Sequence, residues 1–131
     1  MATANTEIVD VWHDLLDRYA RSVSALERAL EHEHGLGVSE YEVLERLATQ
    51  GHANSRMQEL SEAVHLSQSA LSRVVGRLEA EGLVVRKMCT SDRRGIFACL
   101  TDAGRARYEE ALPTHRAVLA ETLGSRARVL G

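Results

Sequence analysis

The chain has 131 residues, of which 44% are hydrophobic, 27% are charged and 4% are aromatic, with a formal net charge of −3. This length and composition indicate one globular domain that can bury a core alone or with a second copy. No window approaches the roughly 18 apolar residues of a membrane span, and no signal peptide is visible at the N-terminus. The two cysteines, Cys89 and Cys99, are too few for a secreted disulfide framework. We therefore expect a cytoplasmic protein without a membrane partner.

The charges are distributed unevenly along the chain. Residues 55–107 carry nine basic and six acidic side chains, a balance of +3, and the remainder carries seven basic and thirteen acidic, a balance of −6. Such asymmetry suggests one face for an anion and another face for a different contact.

The first long element is predicted to be a helix from about Thr6 to His34, ended by Gly35. A helix of that length spans about 43 Å, which is long for so small a domain. Its apolar stripe is therefore expected to need a second subunit. The stripe has helical spacing of three and four and consists of Ile8, Val11, Trp12, Leu15, Leu16, Tyr19, Val23, Leu26 and Leu30.

Three further helices are predicted from capping patterns. The sequences SEYE, beginning at Ser39, and SRMQ, beginning at Ser55, both have the form of a capping box. The second of these predicts a short helix over 56–64. Ser67 can then cap a fourth helix over 68–81.

The segments VVRKMC and IFACL flank TSDRRG and predict a β-hairpin whose turn is centred near Asp92 and Arg93. After it, Thr101 can cap a helix from Asp102, and Pro113 permits a kink or a restart. The predicted order is four helices, a hairpin and two helices.

The fourth predicted helix has two distinct faces. Its inner face can consist of Ala70, Leu71, Val74, Val75 and Leu78. Amide, hydroxyl and guanidinium groups at the start of an exposed helix are what a reader of the DNA major groove needs. A short helix, a tight turn and this helix form a helix-turn-helix, with the hairpin as a wing, although an ordinary amphipathic helix has a similar pattern. The outer face consists of Gln68, Ser69, Ser72, Arg73 and Arg77.

The run MQELSEAVHLSQSALSRVVGRLEAEGLVVRK, then SDRRG, then LTDAG, resembles the MarR-type winged-helix transcriptional regulators. The Asp-x-Arg of the wing followed by Leu-Thr-x-x-Gly is a specific combination, and weaker similarity covers most of the chain. The resemblance implies a mainly α fold with a small β-hairpin, forming one domain over 1–131. Residues of about 6–34 and 102–131 would form dimerisation helices, and residues of about 39–100 would form the DNA-binding lobe.

The resemblance also implies a homodimeric transcriptional regulator, with repression the favoured sign, on a pseudo-palindromic double-stranded operator. The N-terminal part of the fourth helix would face the major groove and Arg77 would contact phosphate. Arg94 would enter the minor groove, oriented by Asp92, while Arg93 would make a looser phosphate contact. The candidate DNA-binding residues are Ser67, Gln68, Ser69, Ser72, Arg73, Arg77, Asp92, Arg93 and Arg94.

Ligands of the family are often small aromatic acids or phenolic compounds that bind between the dimer helices and the DNA-binding lobe. The resemblance therefore implies a ligand-responsive regulator. Trp12 and Tyr19 can equally be packing residues of the first helix. The candidate ligand-binding residues are Trp12, His13, Leu16, Tyr19, Tyr41 and Met57.

Other functions are less well supported by the sequence. The hairpin register predicted here sets Cys89 opposite Ile96 and Cys99 near Arg86, too far apart for a disulfide switch. No Cys/His cluster has zinc-site spacing, so no metal and no cofactor is expected. No catalytic motif occurs, which argues against an enzyme. A redox-responsive or metal-responsive regulator and a winged-helix protein-interaction module are the alternatives.

Overall fold

The computed structural model describes residues 2–50, 53–89 and 92–130, with the side chains of all of these except 2, 89, 92–94 and 125–130. It is mainly helical, with one small antiparallel sheet, as the sequence predicted. In chain order the elements are α1 (Ala2–His34), α2 (Val38–Thr49), β1 (Asn54–Arg56), α3 (Met57–Ala63), α4 (Gln68–Ala80), β2 (Val84–Cys89), β3 (Asp92–Leu100) and α5 (Asp102–Leu130).

Helices α1 and α5 pack against each other, and the C-terminal half of α1 reaches into the core. Leu26 and Leu30 are buried there, and α1 ends at His34, as predicted. Gly35 follows with a φ of +65°, the left-handed conformation that glycine adopts without steric cost. His34 Nε2 lies 2.8 Å from Thr114 Oγ1 on α5, which attaches the end of α1 to the middle of α5.

Both predicted capping boxes are wrong. Helix α2 begins at Val38 with Gly37 as its N-cap, because Glu40, rather than Glu42, accepts a hydrogen bond from the Gly37 N–H at 3.1 Å. Ser55 does not cap a helix. It lies in β1, opposite Ala98. Backbone hydrogen-bonding groups in β1 are paired with β3, so the segment needs no side-chain cap.

The sheet has the order β1-β3-β2, so the predicted hairpin has a third strand on its outer edge. The predicted turn near Asp92 and Arg93 is also wrong, because both residues belong to β3 and only residues 90–91, outside the described part, separate the two strands. An irregularity between Met88 and Cys89 shifts the register.

The predicted cysteine positions are each displaced by one residue. Met88, not Cys89, lies opposite Ile96, and Val85, not Arg86, lies opposite Cys99. The two cysteines are still separated by four positions along the ladder, or about 13 Å at the usual rise per strand residue. This exceeds the roughly 7 Å Cα separation that a disulfide tolerates.

The core is formed where α2 and α4 pack between the sheet and the α1–α5 pair. Its side chains come from alternate residues of the strands and from the inner faces of the helices. This is the pattern expected from the two-residue period of a strand and the 3.6-residue period of a helix. The largest of the fully buried side chains are Leu30, Leu36, Tyr41, Val43, Leu44, Leu47, Leu60, Leu71, Val75, Leu78 and Val84.

Helix α5 is continuous through Pro113, so the predicted kink or restart does not divide it into two helices. Proline removes one helical hydrogen bond and costs about 3 kcal/mol in a helix interior. Here Ala111 and Val118 are buried on either side of the proline, and that packing against the core holds both halves in line.

The start of α5 is joined to the residues after α4 by two hydrogen bonds from Thr101 and by one close approach at Gly104. Thr101 Oγ1 accepts a hydrogen bond from the Gly104 N–H at 3.0 Å, as predicted for a cap, and its hydroxyl donates to the Gly82 carbonyl at 2.7 Å. The Thr101 N–H donates to the Leu83 carbonyl. A Cβ at Gly104 would lie 2.0 Å from that same oxygen. This close approach explains why glycine occupies the last position of Leu-Thr-x-x-Gly.

Gly104→Ala is therefore expected to lower the free energy of unfolding by at least about 3 kcal/mol, the upper range for overpacking a well-packed site. Gly124→Ala is the matched control on the same helix, since a Cβ at Gly124 meets nothing within 4 Å. Chemical denaturation of both variants tests this. Equal stability of the two would mean that the contact at Leu83 is not restrictive.

Candidate nucleic-acid interface

The turn between α3 and α4 has an unusual residue at its tightest point. His65 has a φ of +58° and lies one residue beyond the C-cap of α3, Val64. Its backbone N–H donates to the Glu62 carbonyl at 3.3 Å, and the Leu66 N–H donates to the Ser61 carbonyl at 3.0 Å. These two bonds form a Schellman motif, in which glycine is the usual residue at the left-handed position.

Ser67 begins α4 as the predicted N-cap. Its hydroxyl oxygen accepts a hydrogen bond from the Ala70 N–H at 3.1 Å. The capped end is solvent-exposed at Ser67, Gln68 and Ser69, so backbone and side-chain donors at the start of α4 are open to an outside partner.

The two faces of α4 are those predicted from its periodicity. Leu71, Val74, Val75 and Leu78 are buried. On the opposite side Arg73 is exposed, and Arg77 is exposed with its Nε 3.9 Å from Glu40. With Gln68 and Ser69, these arginines form one polar surface along α4.

Ser72 differs from the other candidates because it is half-buried and faces the sheet. Its hydroxyl accepts a hydrogen bond from Arg86 Nη1 at 3.3 Å, and its carbonyl accepts one from Arg86 Nη2 at 2.6 Å. Arg86 is not among the DNA-binding residues predicted from the sequence. Its position two residues after the inward-facing Val84 was the available signal.

The hairpin formed by β2 and β3, residues 84–100, is called the wing here. Asp92, Arg93 and Arg94 lie in β3 at its far end, with Asp92 paired to Cys89. The side chains of these three residues lie outside the described part, so the structure places only their backbone.

A cavity of about 620 Å³ lies between α1, α2, α5 and the turn before α4. Its wall is mostly apolar. Arg46 lies on it, and within the described part of the chain no ion pair to this guanidinium is formed. The lining residues are Leu15, Arg18, Tyr19, Ser22, Val23, Leu26, Val38, Ser39, Glu42, Arg46, Ala63, Val64, His65, Leu66, Leu119 and Leu123.

Of the six residues predicted to bind a ligand, only Tyr19 lines this cavity. Trp12, His13 and Leu16 are exposed on α1, while Met57 is half-buried against the core. Tyr41 is fully buried. The cavity residues on α2 and in the turn were missed because they come together only through packing.

Tyr41 belongs to a polar cluster that joins α2 to α5. Its ring stacks on His115 with centroids 4.2 Å apart, and its hydroxyl donates to Glu45 Oε1 at 3.2 Å. Burial, together with the Glu45 carboxylate, raises the pKa of Tyr41 far above its ordinary value, so the phenol stays neutral and keeps donating.

The same cluster brings ligand atoms of Glu42, Glu45 and His115 within 4.8 Å of one another, close enough to share a metal ion. Arg116 pairs with Glu45 and also bonds to His115 Nδ1. The Arg116 guanidinium would repel a metal cation there, and it already occupies Glu45 and His115 Nδ1. We therefore interpret the cluster as an interhelical contact.

A capped, exposed polar helix after a tight turn, with an antiparallel hairpin beside it, defines a winged helix-turn-helix protein. No helix in the described part of the chain is long and apolar enough to cross a membrane. A sequence profile of the MarR family matches residues 34–95. The transcriptional regulator MhqR of Bacillus subtilis (strain 168) is 31% identical over 109 residues, which are 83% of this chain and 74% of MhqR.

Two solved structures are also similar. Sco3205 from Streptomyces coelicolor, a MarR family transcriptional regulator in complex with DNA, has a TM-score of 0.84 and 32% identity, over 92% of this chain and 76% of Sco3205. BpsR of Bordetella bronchiseptica, whose DNA binding is regulated by 6-hydroxynicotinic acid, has a TM-score of 0.80 and 26% identity, over 92% and 93%. The chain belongs to the MarR family of transcriptional regulators and is a DNA-binding regulator, not an enzyme.

His65→Gly is expected to raise the free energy of unfolding by about 1 kcal/mol, because it relieves a left-handed conformation that costs side chains about that much. Gly82, at the equivalent place after α4 with a φ of +75°, supplies the reverse test. Gly82→Ala should lower stability by a similar amount. Thermal unfolding of both variants measures the two effects, and a destabilised His65→Gly would contradict the prediction.

Proposed function

We propose that this regulator is a homodimeric repressor that binds a pseudo-palindromic operator through α4 and the wing, and that a small anionic aromatic ligand releases it. It would act in the cytoplasm as one domain, with α1 and α5 as dimerisation helices. The observation that supports DNA recognition best is the exposed polar surface of α4, beginning at its capped N-terminus. Family membership and the DNA complex of Sco3205 support the same proposal.

The dimer is supported by the N-terminal half of α1, whose large apolar side chains are exposed in the part of the chain that the structure describes. A row of large apolar side chains on a single helix is too extensive to be left in water, and a second copy can cover it symmetrically. The exposed side chains are Ile8, Val9, Val11, Trp12, Leu15, Leu16 and Tyr19.

A charge placed in this row should separate the subunits without unfolding either one. Ile8 and Val11 are 67% and 60% exposed in the single chain, so the double variant Ile8→Glu/Val11→Glu keeps its own core. We expect a monomer by light scattering at micromolar concentration with an unchanged helical circular dichroism signal. Glu31→Lys, exposed on the same helix beyond the row, is the control and should stay dimeric.

A double variant that is still a dimer would contradict this arrangement. Leu26→Asp is not a suitable test, although Leu26 belongs to the predicted stripe. The side chain is 4% exposed within its own chain, so the substitution buries an unpaired charge and unfolds the protein instead.

The DNA proposal assigns different roles to the two arginines of the wing. Arg94, in the Asp-x-Arg position, would enter a narrow minor groove, and Arg93 would make a looser phosphate contact.

Paired recognition helices should place operator half-sites about one helical turn, roughly 10 to 10.5 base pairs, apart. A footprint on one half-site would contradict the paired arrangement.

Arg94→Ala should flatten the slope of log affinity against log salt by roughly 1.8, since a dimer loses two contacts at about 0.9 each. It should cost more affinity than Arg93→Ala at fixed salt, and Asp92→Ala should imitate it in part. The measurement is a salt titration of operator binding, with operators first selected from genomic fragments. Protein that binds no DNA at any salt would instead favour an interaction module.

The ligand proposal follows from the cavity rather than from the six residues predicted from sequence. Its apolar wall suits an aromatic ring, and the Arg46 guanidinium suits a carboxylate. The cavity wall also includes His65 and Leu66, directly before the cap of α4. A ligand there would act on the position of α4, in keeping with the regulation of BpsR by an aromatic acid.

In the presence of an aromatic acid, of which 6-hydroxynicotinic acid is the first to test, the wild type should gain thermal stability and lose operator affinity. Arg46→Gln should abolish both effects and leave ligand-free operator affinity unchanged. Arg105→Gln, exposed on α5, is the control. Trp12 lies outside the cavity, so its fluorescence should change when the protein dimerises and should not change when the ligand binds. Arg46→Gln with an undiminished ligand response would contradict the assignment.

A further inference from the structure

Arg86 connects the wing to the recognition helix α4 at two places along that helix. Its guanidinium donates to the Ser72 carbonyl and hydroxyl at 2.6 and 3.3 Å. Its Nε forms an ion pair with Glu79 Oε1 at 2.9 Å, in which the Nε–H is not aligned for a hydrogen bond, and its backbone N–H donates to Glu79 Oε2 at 3.2 Å. One residue of β2 therefore contacts positions seven residues apart on α4, a span of about 10 Å.

The side chain reaches α4 because of the sheet register. Arg86 pairs with Ala98, which is fully buried, and follows Val84 at a spacing of two, so all three lie on the inner side of the wing. Gly76 lies between the two contact points, and a Cβ there would be 3.5 Å from Arg86 Nη2. The arginine thus lies along the surface of the helix.

Among the described side chains of the wing beyond Arg86, few pack against the rest of the domain. Met88 and Ile96, opposite each other, are 68% and 46% exposed, so they add little packing against the domain. A two-stranded hairpin is marginally stable by itself. Within the described residues, the Arg86 contacts are consequently the connection to α4 that lies nearest the far end of the wing.

We propose that Arg86 is a positioning residue that holds the wing at a fixed place relative to α4, so that the wing and the helix engage DNA together. The inference rests on the proposed function, in which Arg94 and Arg73 contact DNA. A preorganised wing adds its contact without a further ordering cost, whereas a loose wing loses much of that contribution.

The test is a set of double-variant cycles measured as operator affinity at fixed salt. In an otherwise wild-type protein, Arg94→Ala should weaken binding about tenfold, the scale for losing a specific arginine contact. In an Arg86→Gln protein it should weaken binding less than about twofold, because the wing no longer holds Arg94 in place. Arg73→Ala should have the same effect in both backgrounds, since α4 itself is intact.

Lys87→Gln is the matched control, because it removes the same charge from the neighbouring residue on the opposite face of the wing. The Arg94→Ala effect should stay about tenfold in that background. Glu79→Gln weakens the same contact from the α4 side and should also lower the Arg94→Ala effect. Agreement between the two variants would show that the result does not come from an unstable Arg86 variant. Arg86→Lys, which keeps the charge but not the fork of donors, should restore the effect only in part.

An Arg94→Ala effect that is equally large in the Arg86→Gln and Glu79→Gln backgrounds would overturn the inference, since loss of stability alone leaves folded molecules with a correctly placed wing. An Arg94→Ala variant that binds like the wild type would instead contradict the proposed function at the wing. The two failures are therefore distinguishable from the same measurements.

Discussion

The contact between the start of α5 and the Leu83 carbonyl is the constraint on which the arrangement of this molecule depends. That oxygen accepts a hydrogen bond from the Thr101 N–H, and Gly104 leaves no room for even one methyl group beside it. The end of α4, the start of the wing and the start of α5 meet there. The long helix α5 is thereby packed directly against the residues that end α4 and begin the wing, and close packing of this kind transmits a displacement of one element to the other.

Helix α4 is bounded by two turns with left-handed residues, and each turn has a different consequence. Gly82 after the helix adopts its conformation at no steric cost, whereas His65 before it does not. The strained turn is also the one that lines the cavity. The backbone of this turn is already in a less favourable conformation, so a ligand that contacts it needs little binding energy to change that conformation. A change there would shift the position of α4.

The arginine side chains of this chain fall into two groups, those exposed on α4 and those that join elements of the fold. Arg73 and Arg77 are exposed on α4, and the first of them is open to a polyanion. Arg86 and Arg116 are turned toward their own chain, where they join β2 to α4 and α5 to α2 through Glu79 and Glu45. The net charge of +3 over residues 55–107 therefore overstates the number of charges available to DNA, because Arg86 is used to join the wing to α4.

The sequence by itself determined the long first helix, the Ser67 cap, the two faces of α4 and the family motif, because each depends on local periodicity or on hydrogen bonds between near neighbours. Tertiary structure decided the rest. Ser55 lies in β1 because β3 offers a partner, and α5 continues through Pro113 because packing holds both halves. Ser72 faces Arg86, and the cavity is lined by Arg46 and His65 rather than Trp12 and Tyr41. These outcomes depend on contacts between residues far apart in the chain, which no local pattern specifies.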